Sequence, residues 1–403
     1  MTRTTAWDRP AVMLAAGAVI LALSLGIRHG FGLFLQPISD QAGWGREVFA
    51  FAIAIQNLVW GAAQPFTGRL ADRFGAGPII VVGAVLYVLG LLAMAVPQSP
   101  VMFVLTCGVL IGLGLSGTTF PIVFGAISRA SSPERRSLAM GIAMAVGSFG
   151  MFVMLPTTLS GILWLDWQWT LVILAVLAGF MLPLAMPLFE QRSLVPKPSD
   201  LGAGEALRLA FAHRGFWLLS LGFFVCGFHV AFVGTHLPAY LVDQGLGAGV
   251  GSTVLALVGL VNIVGSYYAG LWGGHVRKPM LLAWIYIGRA VAIGAFVVLP
   301  VTAGSAYLFG VLMGFLWLST VPLTNGTVAT VFGVANMSML GGIVFFMHQV
   351  GAFLGSWLGG AAYDRLGSYD AVWMTAIILA LVAAALNVPI REQPVQRAAA
   401  RPA

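Results

Sequence analysis

The sequence predicts an all-α membrane protein with 12 transmembrane helices in two pseudo-symmetric six-helix bundles, on three observations. The first is composition: apolar residues make up 59% of the 403 and charged residues only 8%, with a mean hydropathy of +0.95. A soluble chain of this length carries roughly 25% charge. The second is the placement of the 20 Lys and Arg. When apolar runs are alternately assigned outward and inward, 16 fall on the side of the N-terminus, two on the other side (Arg46, Arg365) and two inside spans (Arg28, Arg289). That asymmetry makes the first side cytoplasmic. The third is an internal repeat at a spacing of 201–202 residues.

Taken in order, span one covers 10–36 and contains Arg28, its only formal charge. Arg3 and Arg9 before it imitate a signal peptide, but the run lacks a small-residue cleavage site and is read as retained. Span two covers 47–67 and leads into the loop Gly68-Arg-Leu-Ala-Asp72-Arg73-Phe-Gly75. Spans three to six cover 77–96, 101–128, 138–160 and 168–188. Gly112-Leu-Gly114-Leu-Ser-Gly117 in span four matches a dinucleotide-binding glycine pattern, but no strand precedes it. Close helix packing accounts for it. A polar linker, 190–214, with Pro196, Lys197 and Pro198, separates an N-terminal bundle (1–189) from a C-terminal one (215–403). Spans seven to twelve cover 215–242, 250–272, 279–299, 304–332, 338–361 and 371–390. The repeat pairs Gly26 and Pro37 with Gly227 and Pro238, Gly108 and Gly112 with Gly310 and Gly314, and Gly68 with Gly270.

Two cysteines, Cys107 and Cys226, lie in apolar runs and give no disulfide framework. No metal-binding spacing, phosphate-binding loop or catalytic triad is present, so the reading is of a non-enzyme without metal or cofactor. The net charge of +7 reports orientation in the bilayer and not nucleic-acid binding. The partners expected are the lipid bilayer and a small-molecule substrate, and the chain is expected to work as a monomer.

Six plus six spans about a polar central linker resemble the major facilitator superfamily over nearly the whole chain. The Gly68–Gly75 loop resembles that superfamily's hallmark loop between spans two and three. The resemblance implies a conformational latch of Gly68, Asp72, Arg73, Gly75 and Arg129, with Asp72 against the start of span eleven, where an anion meets the helix dipole. The second copy, Gly270 to Lys278, has lost its acid. Gly32-Leu-Phe-Leu-Gln-Pro37, Gly43-Trp44-Gly-Arg46 and Gln64-Pro65-Phe-Thr-Gly68 further resemble the bacterial monocarboxylate-porter and oxalate/formate-antiporter group. This implies transport of organic anions across a cell inner membrane. Family members often hold the carboxylate with a cation in span eight. Here that span offers Asn262, Ser266, Tyr267 and Tyr268, which moves attention to Arg28.

A buried arginine costs roughly 2.5–3.5 kcal/mol on insertion scales, so Arg28 needs a water-lined cavity or a partner. All 13 Asp and Glu fall in loops or at span ends. Cations and imidazoles without carboxylates favour anionic cargo. An offset of 201 residues pairs Arg28 with His229. The expected substrate site is Arg28, His229, Thr118, Thr119, Asn262, Tyr267 and Asn325, with His229 or His348 as the proton carrier. Arg289, on a peripheral span, is expected to have a structural partner. The function expected is alternating-access, proton-coupled transport of a monocarboxylate. The alternatives are anion-for-anion exchange and efflux of amphipathic drugs. The topology has a direct test. Cysteines placed in the linker or after Arg391 should react with impermeant reagents only from the cytoplasm, and one near Gly43 only from outside. Labelling of both from one side would overturn the 12-span map.

Overall fold

The computed structural model describes residues 10–43, 46–96, 99–189 and 202–395. Trp44, the first part of the linker (190–201) and both extreme termini lie outside them. The helices in chain order are α1 Pro10–Phe34, α2 Arg46–Phe74, α3 Ala76–Met94, α4 Pro100–Ala130, α5 Arg136–Leu165 and α6 Trp167–Leu184. After a short linker helix, Ala203–Ala212, come α7 Arg214–Asp243, α8 Ala248–Trp272, α9 Lys278–Val298, α10 Ala303–Phe332, α11 Met337–Leu366 and α12 Asp370–Asn387. Among the described residues, 11 helices are apolar and long enough to cross a membrane. The remaining one, α2, has 29 residues, about 43 Å at 1.5 Å per residue. Gln56, Asn57 and Gln64 lower its apolarity, and two of them are used internally. Gln56 Nε2 donates to Cys107 O at 2.6 Å and Gln64 Nε2 to Ser116 O at 2.7 Å.

The halves repeat each other in packing. α1 lies on α5 as α7 lies on α11; α2 packs on α4 as α8 packs on α10; α3 contacts α6 as α9 contacts α12. Across the boundary α2 meets α11 and α5 meets α8. Hydrogen bonds repeat too. Ser24 Oγ lies 2.8 Å from Thr118 Oγ1, and Cys226 Sγ lies 3.1 Å from Thr320 Oγ1, each residue 202 positions after its counterpart (226 − 24 and 320 − 118). Tyr87 donates to Ser24 O at 3.0 Å, as Tyr286 donates to Gly222 O at 2.6 Å.

The fourth helix of each half is broken. α4 breaks at Thr119, an extended residue with φ −116° and ψ −164°. α10 breaks between Leu316 and Thr320. In hydrocarbon each freed backbone group needs a protein partner. Gln64 and Thr67 Oγ1 (3.1 Å) serve Ser116 O at the α4 break. At the α10 break the amide of Val321 bonds Leu318 O, one residue short of the helical register. Arg289, fully buried on α9, takes the carbonyls left over. Its Nη2 donates to Leu316 O at 2.8 Å and to Trp317 O, and Nε to Leu316 O at 3.3 Å.

On the face that carries the linker, the halves close tightly. A side chain at Gly68 of α2 would collide with the Ser338 backbone at the start of α11. A Cβ at Gly141 of α5 would stand 2.5 Å from the Gly270 Cα of α8. Asp72 Oδ1 accepts from Arg129 at 3.0 Å and from the Ser338 amide at 3.1 Å, while Oδ2 accepts from the Met339 amide at 2.8 Å. Gly75 turns the chain with φ 88°. Arg73 is exposed, with its guanidinium 5.1 Å from the Phe74 ring.

The loop that lost its acid receives one from elsewhere. Glu392, beyond α12, binds Lys278 Nζ at 2.5 Å and the Lys278 amide at 2.8 Å. The tail continues to a Val395 amide to Val331 O bond of 2.9 Å. Arg289 yields a prediction. Arg289→Met fills much of the volume but leaves two carbonyls unpaired, which costs about 3 kcal/mol. Cys107 and Cys226, both buried, should then become reactive to a thiol dye at a clearly lower temperature in detergent. Unchanged melting would mean that the break is satisfied by other groups.

Candidate functional site

α1 changes character at the position where its charge lies. The regular helix ends at His29, and Gly30–Phe34 continues as a tighter 3-10 segment. Arg28 is therefore in the last regular turn, half-buried, and His29 beside it is exposed. Arg28 Nη2 donates to Asn57 Oδ1 of α2 at 3.2 Å, and its guanidinium lies 5.7 Å from the Phe31 ring. Its Nε is buried without a hydrogen-bond partner. Among the described residues no carboxylate forms a salt bridge with Arg28. One side of a charged, planar donor set is thus left for an acceptor the protein does not supply.

One turn along α1 toward the linker face, Ser24 ties this helix to Thr118. On α2, Asn57, Trp60 and Gln64 form a stripe at helical spacing. The Trp60 indole N–H is shared between Thr119 Oγ1 (2.9 Å) and Gln64 Oε1 (3.1 Å). Its ring lies 5.1 Å from Phe345 of α11, which also meets Phe120 of α4 at 5.7 Å. Phe345 stacks on His348 at 5.4 Å with 10° between planes, and Phe223 of α7 lies 4.8 Å from the same imidazole. These rings join both halves in one aromatic layer. His348, 8% exposed, bonds Gln349 Oε1 at 3.3 Å through Nδ1 and also reaches the Cys226 thiol.

The structure brings Arg28, Thr118 and Thr119 close together through α1, α2 and α4, and does not gather the other expected residues with them. Thr118 and Thr119 are fully buried with their hydroxyls already engaged: Thr118 with Ser24, Thr119 with Trp60 and the Leu115 carbonyl. His229 is fully buried and turned to α12, with Nε2 2.9 Å from Ala376 O. The bond to that carbonyl fixes the ring against α12, away from the helix that carries Arg28. A carbonyl acceptor fixes the proton on Nε2, and Nδ1 has no acceptor for a second one.

Asn262 is fully buried with its amide committed to Ser148, Ser266 and Leu318. Tyr267 lies on an exposed apolar stripe of α8 with Leu260, Val264 and Trp272, opposite the face carrying Asn262 and Ser266. Asn325 is buried near the linker face, where its Oδ1 crowds Gly341 of α11. Asn57 and Trp60 were not singled out from the sequence, and Gln64 only as part of a resemblance motif, although a polar stripe in an apolar span is a readable signal.

A cavity of about 440 Å³ opens on the linker face, walled by Arg136, Ser137, Gly273, Lys278, Thr330 and Val395 among others. It does not include Arg28, and its Lys278 is neutralised by Glu392.

Comparison with known proteins bears on this architecture. The model of the Major Facilitator Superfamily matches residues 14–356. The chain is 28% identical over 379 residues to human monocarboxylate transporter 11, covering 90% of this chain and 79% of that one. It is 25% identical to the uncharacterized MFS-type transporter YcxA of Bacillus subtilis, covering 89% and 90%. Among solved structures it resembles the human organic anion transporter MFSD10, with a TM-score of 0.75 at 15% identity over 94% of this chain and 99% of that one. On a family match across most of its length, the chain belongs to the Major Facilitator Superfamily, whose members are membrane transporters and not enzymes.

Proposed function

We propose that this transporter moves small organic anions, chiefly monocarboxylates, by alternating access coupled to protons. The observation that carries the reading is Arg28. It is a permanent cation within a span, held by one neutral amide, with a buried Nε that has no partner. A carboxylate meets that edge of the guanidinium with two parallel charge-assisted bonds. The aromatic layer of Trp60, Phe120, Phe223 and Phe345 supports the choice of a single carboxylate on an apolar body. The similarity to a monocarboxylate transporter supports the same choice. On this reading the protein lies in the inner membrane with its linker and both termini cytoplasmic, as the positive-inside rule indicates. It would act as a monomer, and the Asp72 cluster would serve as the latch of the linker face.

His348 is the candidate proton carrier. It lies in the aromatic layer between the halves and connects through Cys226 to Arg289. His229 is not used, because its surroundings hold a single tautomer. Anion-for-anion exchange is the second reading, supported by the fixed charge of Arg28, which binds carboxylate at any physiological pH.

Removing one partner of a desolvated, charge-assisted bond costs roughly 2–5 kcal/mol, or tens to thousands of times in affinity. Arg28→Ala should therefore abolish measurable uptake of labelled monocarboxylates in proteoliposomes while the protein purifies folded. Arg28→Lys should do nearly as badly, since an ammonium cannot reproduce the planar fork. Parent-like transport by both variants would remove Arg28 from the site.

The coupling assignment has its own test. His348→Gln should spare substrate exchange and lose accumulation driven by a pH gradient, whereas His229→Gln should lower thermal stability and keep the coupling. Gradient-driven accumulation by His348→Gln would favour the exchanger.

A further inference from the structure

Asn262 is a fully buried amide with three hydrogen bonds to three different places. Nδ2 donates to Ser148 Oγ of α5, in the opposite half, at 2.7 Å. Oδ1 accepts from the Leu318 amide, inside the break of α10, at 2.9 Å, and from Ser266 Oγ, one turn along α8, at 3.2 Å. The orientation of the amide is fixed by its partners. Ser148 has already given its only proton to Met144 O at 2.9 Å, so it can only accept, and a backbone amide can only donate.

The repeat supplies an independent observation. The residue 202 positions before Asn262 is Trp60, and the one 202 before Ser266 is Gln64. Trp60 has the same three relations with different chemistry. It binds Gln64 one turn along its helix, it binds Thr119 at the break of α4 in its own half, and its ring touches Phe345 of the opposite half. Two unrelated side chains hold equivalent positions and each joins a helix break to the far half. Core packing alone gives no reason for an amide and an indole to converge on that geometry.

From this geometry we infer that Asn262 is a positioning residue for transport, tying the α10 break to the closure of α5 against α8. While the linker face is closed, the Ser148 bond holds the amide in place and Oδ1 caps Leu318. When α5 and α8 part, Nδ2 loses its acceptor in a dry environment and the amide is free to turn away from Leu318. The break also holds the carbonyls taken by Arg289, and Arg289 reaches Cys226 and through it His348. Closure of one face is thereby transmitted to the wall of the central site. The inference rests on alternating access, and neither on the anion nor on Arg28.

The test reads conformation without substrate. The parent for comparison carries Ser137→Cys, a reporter buried in the α5–α8 seam of the linker face, and is labelled by an impermeant maleimide from the linker face of membrane vesicles. Ser148→Ala deletes the bond across the halves, together with the intrahelical bond to Met144 O, and leaves Leu318 capped. One hydrogen bond of ordinary net strength corresponds to about a five-fold shift in the open population, and labelling should accelerate by about that factor. Ser148→Thr restores the hydroxyl and should return the rate to that of the parent. Labelling at the parent rate in Ser148→Ala overturns the inference whatever its melting temperature. Acceleration that Ser148→Thr fails to reverse overturns it equally.

Discussion

Everything in this structure answers to one constraint: a backbone amide or carbonyl in hydrocarbon must find its partner within the protein. Among the described residues most spans meet it chiefly through helical geometry. α4 and α10 are interrupted, and around their interruptions the protein concentrates its buried polar chemistry. Gln64 and Thr67 serve one break, Arg289 and Asn262 the other. These side chains come from helices that also shape the interface between halves, so the local requirement of satisfying a break becomes a long-range tie.

The two arginines inside spans show how one sequence feature leads to opposite roles. Arg289 has carbonyl acceptors on two of its nitrogens and no exposure, so its charge is spent inside the fold. Arg28 has one amide oxygen and a ring, and it stands beside an exposed histidine where α1 tightens. Each leaves one buried guanidinium nitrogen without a partner, Nε of Arg28 and Nη1 of Arg289, but only Arg28 is partly exposed. The difference between them is the number of acceptors within reach, which composition does not report.

Much of the fold was legible because its signals are strong in one dimension. Apolar length gives the spans, the skew of Arg and Lys gives their direction, and spaced glycines give the repeat. Arg28 was legible for the same reason, as a lone charge in an apolar run. The site around it was harder. Asn57 and Trp60 are uncharged and common in membrane helices, so only the partner they face singles them out. His229 pairs with Arg28 at the 201-residue offset, but its facing is set by the Ala376 carbonyl of α12, which no spacing reports. Asn262 is readable as a polar residue within a span, and the backbone it meets is not. The break it caps, Trp317-Leu318-Ser319, is marked only by Pro322 beyond it, whose missing N–H leaves Leu318 O to the Val321 amide.

The clasp made by Glu392 bears on how the protein is built. The N-terminus of α9 presents a lysine and an unpaired amide, and the carboxylate that meets both is encoded more than a hundred residues later. Throughout synthesis of α10, α11 and α12 that end of α9 waits uncompensated at the membrane surface. The C-terminal half therefore completes its wiring only when translation has passed the last span. The N-terminal half is in the same position, since Asp72 must await Ser338 and Met339. Each bundle inserts early but is finished late, and a nascent chain stalled before α11 would present both bundles to quality control as incomplete.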